Sequence, residues 1–373
     1  MRGRKHHIEA APGRRAKGSV EMNYTKKVVA EGMAKCYAIG MFEGADAKSF
    51  VVGCEKEGPI RRFALDGTPL ETVAEGPGGV MTITQVPGRD DQLLATYKFF
   101  SPNYGGDDAK IVSYTRNENG AWVCSTLCDL PYVHRFGVLK GADGQLWLIA
   151  CTIKGACREV KNDWSAPGAV YVAPLGKRLE RHDKFNQVEL VELSGCQLQN
   201  HGFWTPEDKS YALVSTAAGV FRYVPPARPG EQWQVTCLLV QPTSDICMAD
   251  FDGDGKLELL TLSKFHGDTL SVWHETDTPD TYELAWTDPE KRGFLHAIWS
   301  GELAGEQCAV VGNRKDGRDL LRVWFEAGEC HVEVIDHDFG PTNCWVYTDE
   351  QGTDQIIAAN RETDQVAIYA ATK

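Results

Sequence analysis

Short apolar runs alternate with polar turns along the whole chain, and no stretch carries a sustained helical period, so no helix of length is expected. Seven segments share one order: a polar or cysteine residue, a short apolar strand, a turn, a second apolar strand, and a third that ends in aromatics. They open at Cys36, Met81, His134, His201, Cys247, His296 and Cys344, 45 to 67 residues apart. Second strands follow at Ser49–Val52, Gln92–Ala95, Leu146–Ile149, Tyr211–Val214, Leu257–Leu260, Cys308–Val311 and Gln355–Ala358. Third strands include Ala169–Val172, Val220–Tyr223, Leu270–Trp273, Leu321–Trp324 and Val366–Tyr369. Repeats of this length built from four short strands are propeller blades. The pattern therefore predicts an all-β, seven-bladed β-propeller of four-stranded blades occupying residues 23–373 as one domain. The last copy has room for only three strands before Lys373, and the strand-like Lys26–Ala30 lies upstream of the first. This N-terminal strand is expected to complete the last blade and close the ring, removing an open sheet edge. Residues 1–22 read as a disordered extension. Pro225, Pro226 and Pro229 mark a turn inside the fourth blade.

One segment carries a stronger local signal. In Asp250-Phe251-Asp252-Gly253-Asp254-Gly255-Lys256-Leu257-Glu258, carboxylates alternate, glycines permit a sharp turn, and an apolar strand follows. Ca²⁺ takes several hard oxygen ligands on a tightly curved backbone, so Asp250, Asp252, Asp254 and Glu258, with the carbonyl of Lys256, predict one structural calcium site. The spacing and flanks are not those of an EF-hand. The stretch resembles the cation loop of FG-GAP/VCBS-type β-propeller repeats, over about one blade. Lying between a first and a second strand, it is expected on the mouth away from any chemistry.

In a propeller the start of each innermost strand lies at one mouth of the central channel, and the loops joining second to third strands open on the same side. That register gathers His134, His201 and His296, with Met81, Cys36, Cys247 and Cys344 between them. Imidazoles in such a set predict a site for Zn²⁺ or another divalent transition metal, with thiol ligation the weaker expectation. The loops add Tyr97, Lys98, Lys154, Lys264, His266, Asn313, Arg314, Lys315 and Arg361. Arg314 and Arg361 are candidates to hold a carboxylate bidentately, with Asn313 and Lys154 beside them. Tyr97, Lys98, Lys264 and His266 are candidates to move protons. Phe99, Phe100, Tyr104 and Trp164, on two long loops, are candidates to stack on a sugar ring.

Charge and composition narrow the partners. A formal net charge of −13 repels phosphate backbones, so nucleic acid is not expected. The basic groups Arg2, Arg4, Lys5, Arg14, Arg15 and Lys17 sit in the N-terminal extension, outside the acidic body. No apolar run has the length of a membrane span, and no apolar signal core opens the chain. The 12 cysteines lack small-domain spacing and read as reduced thiols of a cytoplasmic protein. Clustered cations on an acidic protein point to a small-molecule or oligosaccharide ligand, anionic or polyhydroxylated. Propellers of the repeat type this chain resembles include sugar lyases and dehydratases such as the aldos-2-ulose dehydratase family. That resemblance implies metal-assisted elimination or dehydration of an oxidised sugar or uronate, with His134, His201 and His296 as ligands or acid/base groups. The alternative from another class is a non-catalytic propeller that binds a glycan or protein partner. No nucleophile elbow, phosphate loop or dinucleotide fingerprint is present.

Overall fold

The computed structural model describes residues 22–103, 105–157, 162–180, 185–228, 230–326 and 328–373. Residues 1–21 and Tyr104 lie outside this set, and with them nearly all of the predicted N-terminal extension and one of the proposed stacking rings. Seven four-stranded antiparallel sheets follow one another around a ring. Six are built consecutively, with inner strands Cys36–Glu43, Ile83–Gln85, Val133–Lys140, Gly202–Trp204, Asp245–Ala249 and Leu295–Leu303. The seventh uses Pro341–Thr348, Asp354–Asn360 and Gln365–Thr372 and takes its outer strand from Asn23–Ala30 at the other end of the chain. Asn23 pairs with Thr372, Tyr24 with Ala371 and Lys26 with Tyr369, so the N-terminal strand closes the ring as the sequence predicts.

The core is divided among the blade interfaces. Phe50 and Val52 pack toward blade seven with Ile357 and Val366. Val51, between them in sequence, faces blade two with Leu93 and Val112. Likewise Leu260 and Leu262 join blade six, while Leu259 joins blade four. A strand buried on both faces has no need of polar alternation, which is why the second strands read as unbroken apolar runs. Among the described residues no helix is long and apolar enough to cross a membrane, and none of the twelve cysteines forms a disulfide.

The blade register differs from the sequence reading at three of the seven openings. The inner strands of blades one, three, six and seven carry a bulge at their second residue, which places Tyr37, His134, His296 and Thr342 in equivalent positions. Cys36 is thus one residue early and Cys344 two residues late, and Cys247 is the third residue of its strand. All three are buried in interblade clusters, where burial pushes their thiols up, that of Cys36 to beyond the ordinary thiol range. A one-residue slip turns the Cys36 side chain to the other face of its strand, and Cys247 and Cys344 lie farther along theirs, so all three thiols pack as small apolar groups away from the imidazoles.

Candidate metal centre at the propeller mouth

Four imidazoles and a phenol converge where blades one, three, four, five and six meet the channel. His134, His201 and His296 come from inner-strand starts and are 1–3 % exposed. His266 reaches over them from the loop between Glu258–Ser263 and Thr269–Glu275, in a left-handed backbone conformation with φ of 50°. The ring centroid of His201 lies 4.7 Å from that of His134, 4.8 Å from His296 and 5.0 Å from His266. Phe265 and Phe294 stack on His266 at 3.9 and 4.2 Å, and Phe99 packs edge-on against His134.

Hydrogen-bond partners fix the tautomers. His201 Nδ1 lies 3.1 Å from the Ser244 carbonyl and His296 Nδ1 2.7 Å from the Thr342 carbonyl. A carbonyl only accepts, so both rings carry their proton on Nδ1 and present the Nε2 lone pair. The Tyr37 hydroxyl lies 3.1 Å from His296 Nε2 and 3.3 Å from His134 Nε2. It donates to the His296 lone pair and accepts from a His134 N–H. Burial holds His134, His201 and His296 well below the usual imidazole range, and the positive charges of Arg135 and Arg314 add to the effect. Burial also brings His266 down to about 3, with Arg314, Arg361 and Lys315 contributing, and pushes the Tyr37 phenol up to about 12. At neutral pH the cluster therefore holds neutral rings and an un-ionised phenol.

That is the state a metal requires. Donor nitrogens of His201, His266 and His296 all lie within 4.8 Å of one another, and the Nε2 atoms of His201 and His266 are 3.4 Å apart. Two nitrogens bound at ~2.0–2.1 Å in a tetrahedron are about 3.3 Å apart. Carbonyl acceptors behind His201 and His296 supply the outer hydrogen bonds that orient ligating histidines. The trio thus uses His266 where the sequence register places His134, and His134 stands one step back, joined through Tyr37.

The remaining candidates separate into those near the cluster and those already engaged. Arg314 bonds Glu362 at 2.8 Å and sits over the Phe294 ring. Arg361 bonds Glu55 and also Glu362, the latter at 2.9 Å. Both guanidinium groups thus already face internal carboxylates. Asn313 is fully buried, and its amide pins its own loop through Asp319 N–H and the Gly293 and Lys315 carbonyls. Lys154 is buried, donates to the Asp163 carbonyl at 2.7 Å and lies over Trp164. Trp164 itself meets Phe265 edge-on at 5.5 Å, at the border of the cluster. Tyr97 packs into the interface of blades one and two, and Lys98 follows it on that loop. Among the described residues no hydrogen bond or ring contact joins either to the imidazoles. Lys264 lies nearer, lining a cleft of about 590 Å³ whose inner wall includes His266.

Sequence reasoning missed Tyr37, Arg135 and Asp245. Arg135 donates to the carbonyls of His201 and Met81, and lies 3.8 Å from the Asp245 carboxylate. Asp245, also 3.8 Å from His201 Nδ1, is pushed up to about 7 by burial against the pull of Arg135. Tyr37 and Arg135 sit one position after the residues read as mouth positions and Asp245 two before Cys247, so only a correct strand register reveals them.

The Asp250 loop lies between the inner and second strands of blade five, at the end of the blade away from the imidazoles. Asp250 accepts from Gly253 N–H at 2.7 Å and Gly255 N–H at 3.1 Å, and Asp254 from Lys256 N–H at 2.7 Å. Glu258 is fully buried beneath it, accepting from Phe251 N–H at 2.7 Å. Oxygens of Asp250, Asp252 and Asp254 lie within 4.8 Å of one another, as do donors of Asp252, Glu258 and His274.

One of two comparisons with solved structures supports the architecture. The β-propeller domain of Cps50 (Swd1) from Myceliophteria thermophila superposes with a TM-score of 0.60 at 10 % identity, covering 93 % of this chain and 100 % of that one. The soluble aldose sugar dehydrogenase (Asd) of Escherichia coli, in its apo form, gives a TM-score of 0.48 at 11 % identity over 94 % of this chain and 99 % of that one. No family model matches the chain, and no curated protein sequence does. The protein is a seven-bladed β-propeller, and identities this low carry the fold alone.

Proposed function

We propose that the protein is a metal-dependent carbon–oxygen lyase or dehydratase, acting on a small oxidised sugar or sugar acid at the histidine-bearing mouth. The observation that carries this reading is the trio His201, His266 and His296: neutral rings, two of them locked by carbonyls so that Nε2 faces inward. Nitrogen donors suit Zn²⁺ or another divalent transition ion over calcium. A bound divalent ion would polarise a carbonyl or carboxylate oxygen and so acidify the neighbouring C–H. The Tyr37 hydroxyl, beside His134 and His296, would give a proton to a departing hydroxyl, and the neutral His134 ring, whose Nδ1 has no hydrogen-bond partner among the described residues, would take the proton of the acidified C–H. The Asp250 loop is proposed as a separate, structural Ca²⁺ site, because its clustered carboxylates and buried Glu258 call for a compensating cation.

Metal analysis of purified protein tests the central claim. Wild type is expected to retain about one equivalent of transition metal, and the His201→Ala/His296→Ala variant to lose it. Retention by the folded double variant would end the reading. Elimination from uronate and aldonate panels, followed at the absorbance of the unsaturated product, tests the chemistry. One observation favours a second reading, a non-catalytic propeller binding a glycan or protein. The inner imidazoles are almost wholly buried, as they would be in a hydrogen-bonded plug. Under it, wild type would hold no transition metal and turn over nothing.

A further inference from the structure

The cleft beside the imidazoles lies between the Lys264–Asp268 loop of blade five and the Gly293–Lys315 region of blade six. At about 590 Å³ it falls within the range of small-molecule sites. Two features mark it. Its wall includes His266, the member of the metal trio that neither sits on a strand nor has its ring held by a backbone carbonyl. Its cations are Lys264 and Lys315, and among the described residues neither ammonium lies in an ion pair. The neighbouring cations are engaged: Arg314 with Glu362, Arg361 with Glu55, Arg292 with Asp288, and Lys291 with Asp268 and Thr269. Asp268, the acidic group in the wall, accepts from the Thr269 hydroxyl at 2.9 Å and faces Lys291. On a chain of net charge −13, two uncompensated ammonium groups at one cleft attract an anion.

We propose that this cleft is the anion subsite of the protein, seating the carboxylate of a small organic acid on Lys264 and Lys315, with His266 as the wall it shares with the metal centre. The assignment deepens the lyase reading and draws its substrate class from it, but the seat itself depends only on the cleft. It moves carboxylate recognition from Arg314 and Arg361, whose forks are filled, to the two lysines. Phe294 adds an apolar ring to the lining, stacked on His266 at 4.2 Å and 5.5 Å from the Lys315 ammonium.

Titration calorimetry of the full chain with D-glucuronate, with D-glucose as its uncharged counterpart, tests the seat. Wild type is expected to bind glucuronate and not glucose, more weakly as salt is raised, because exposed ammonium groups are screened. Lys264→Gln/Lys315→Gln should weaken binding about tenfold or more, and Lys264→Arg/Lys315→Arg should restore most of it. Unchanged melting temperatures would show that these surface variants fold. The His201→Ala/His296→Ala variant separates the two claims: glucuronate binding that survives loss of the metal supports the seat even if the metal reading fails. Equal binding by the glutamine variant, equal binding of glucose, or no glucuronate binding at millimolar concentration would overturn the proposal. Stoichiometric displacement by inorganic phosphate with higher affinity would make this a phosphate seat and remove the carboxylate assignment.

Discussion

Tyr37 is the side chain on which a metal-free and a metal-loaded cluster would differ most. Without a metal, its hydroxyl is the hydrogen-bond partner of His296 Nε2. Tyr37→Phe then leaves a buried nitrogen lone pair unpaired, a loss of about 1–3 kcal/mol. With a metal on that nitrogen, the same substitution removes little. Urea denaturation of both proteins with and without Zn²⁺ is expected to show a destabilisation that Zn²⁺ relieves; an identical difference in both conditions would place the metal elsewhere. The imidazoles also set an acid limit. Each of the four has a folded-state pKa below its unfolded value near 6.5, so the unfolded chain binds more protons once the pH falls below about 6.5. Stability is therefore full above about pH 6.5 and lost as the pH drops through the folded-state values. Asp245 acts in the opposite sense, because its raised pKa gives the folded state the extra proton between about 4 and 7. Thermal melts from pH 7.5 to 4.5 should show a steep loss, steeper still in Asp245→Asn. A flat profile would mean that the rings are not held neutral.

The Asp250 turn and the bulged inner strands show which elements a sequence makes legible. Alternating carboxylates and glycines announce a turn locally, and the turn stands where the pattern places it, between first and second strands. Its chemistry is testable at the element itself. EGTA should lower the melting temperature by several degrees, and Glu258→Gln should abolish the response by replacing the buried carboxylate beneath the loop with a neutral amide. No shift with EGTA would count against calcium. The inner-strand bulges, by contrast, are set by pairing with the second strand and have no local signature. Hence His134, His201 and His296 were legible as one rim, while Tyr37 was hidden behind Cys36, and Thr342 behind Cys344. The filled guanidinium forks were also illegible. Arg361 meets Glu55, 306 positions away in sequence, and only ring closure brings blades seven and one together.

Closure itself rests on a strand of eight residues. Asn23–Ala30 pairs along Gln365–Thr372, and its side chains reach the preceding blade, where Tyr24 donates to Glu333 at 2.6 Å and Lys26 meets Asp336 at 2.8 Å. Met22 is buried beside them, in the interface of blades six and seven. The strand therefore covers an otherwise open edge and ties the last two blades together. Each blade buries its core only against its neighbours, so opening one interface weakens the ring at a single seam while the other interfaces keep their contacts. Removing residues 1–31 should accordingly leave a protein rich in strand that melts far lower and self-associates through the bare Gln365–Thr372 edge. A synthetic peptide of residues 22–31 added in trans should restore a monodisperse ring and raise the melting temperature in proportion to its concentration. Circular dichroism and light scattering would follow both effects. A truncated chain that melts like the full one, with no response to peptide, would show that the seam is held by blade seven alone and that the strand is dispensable.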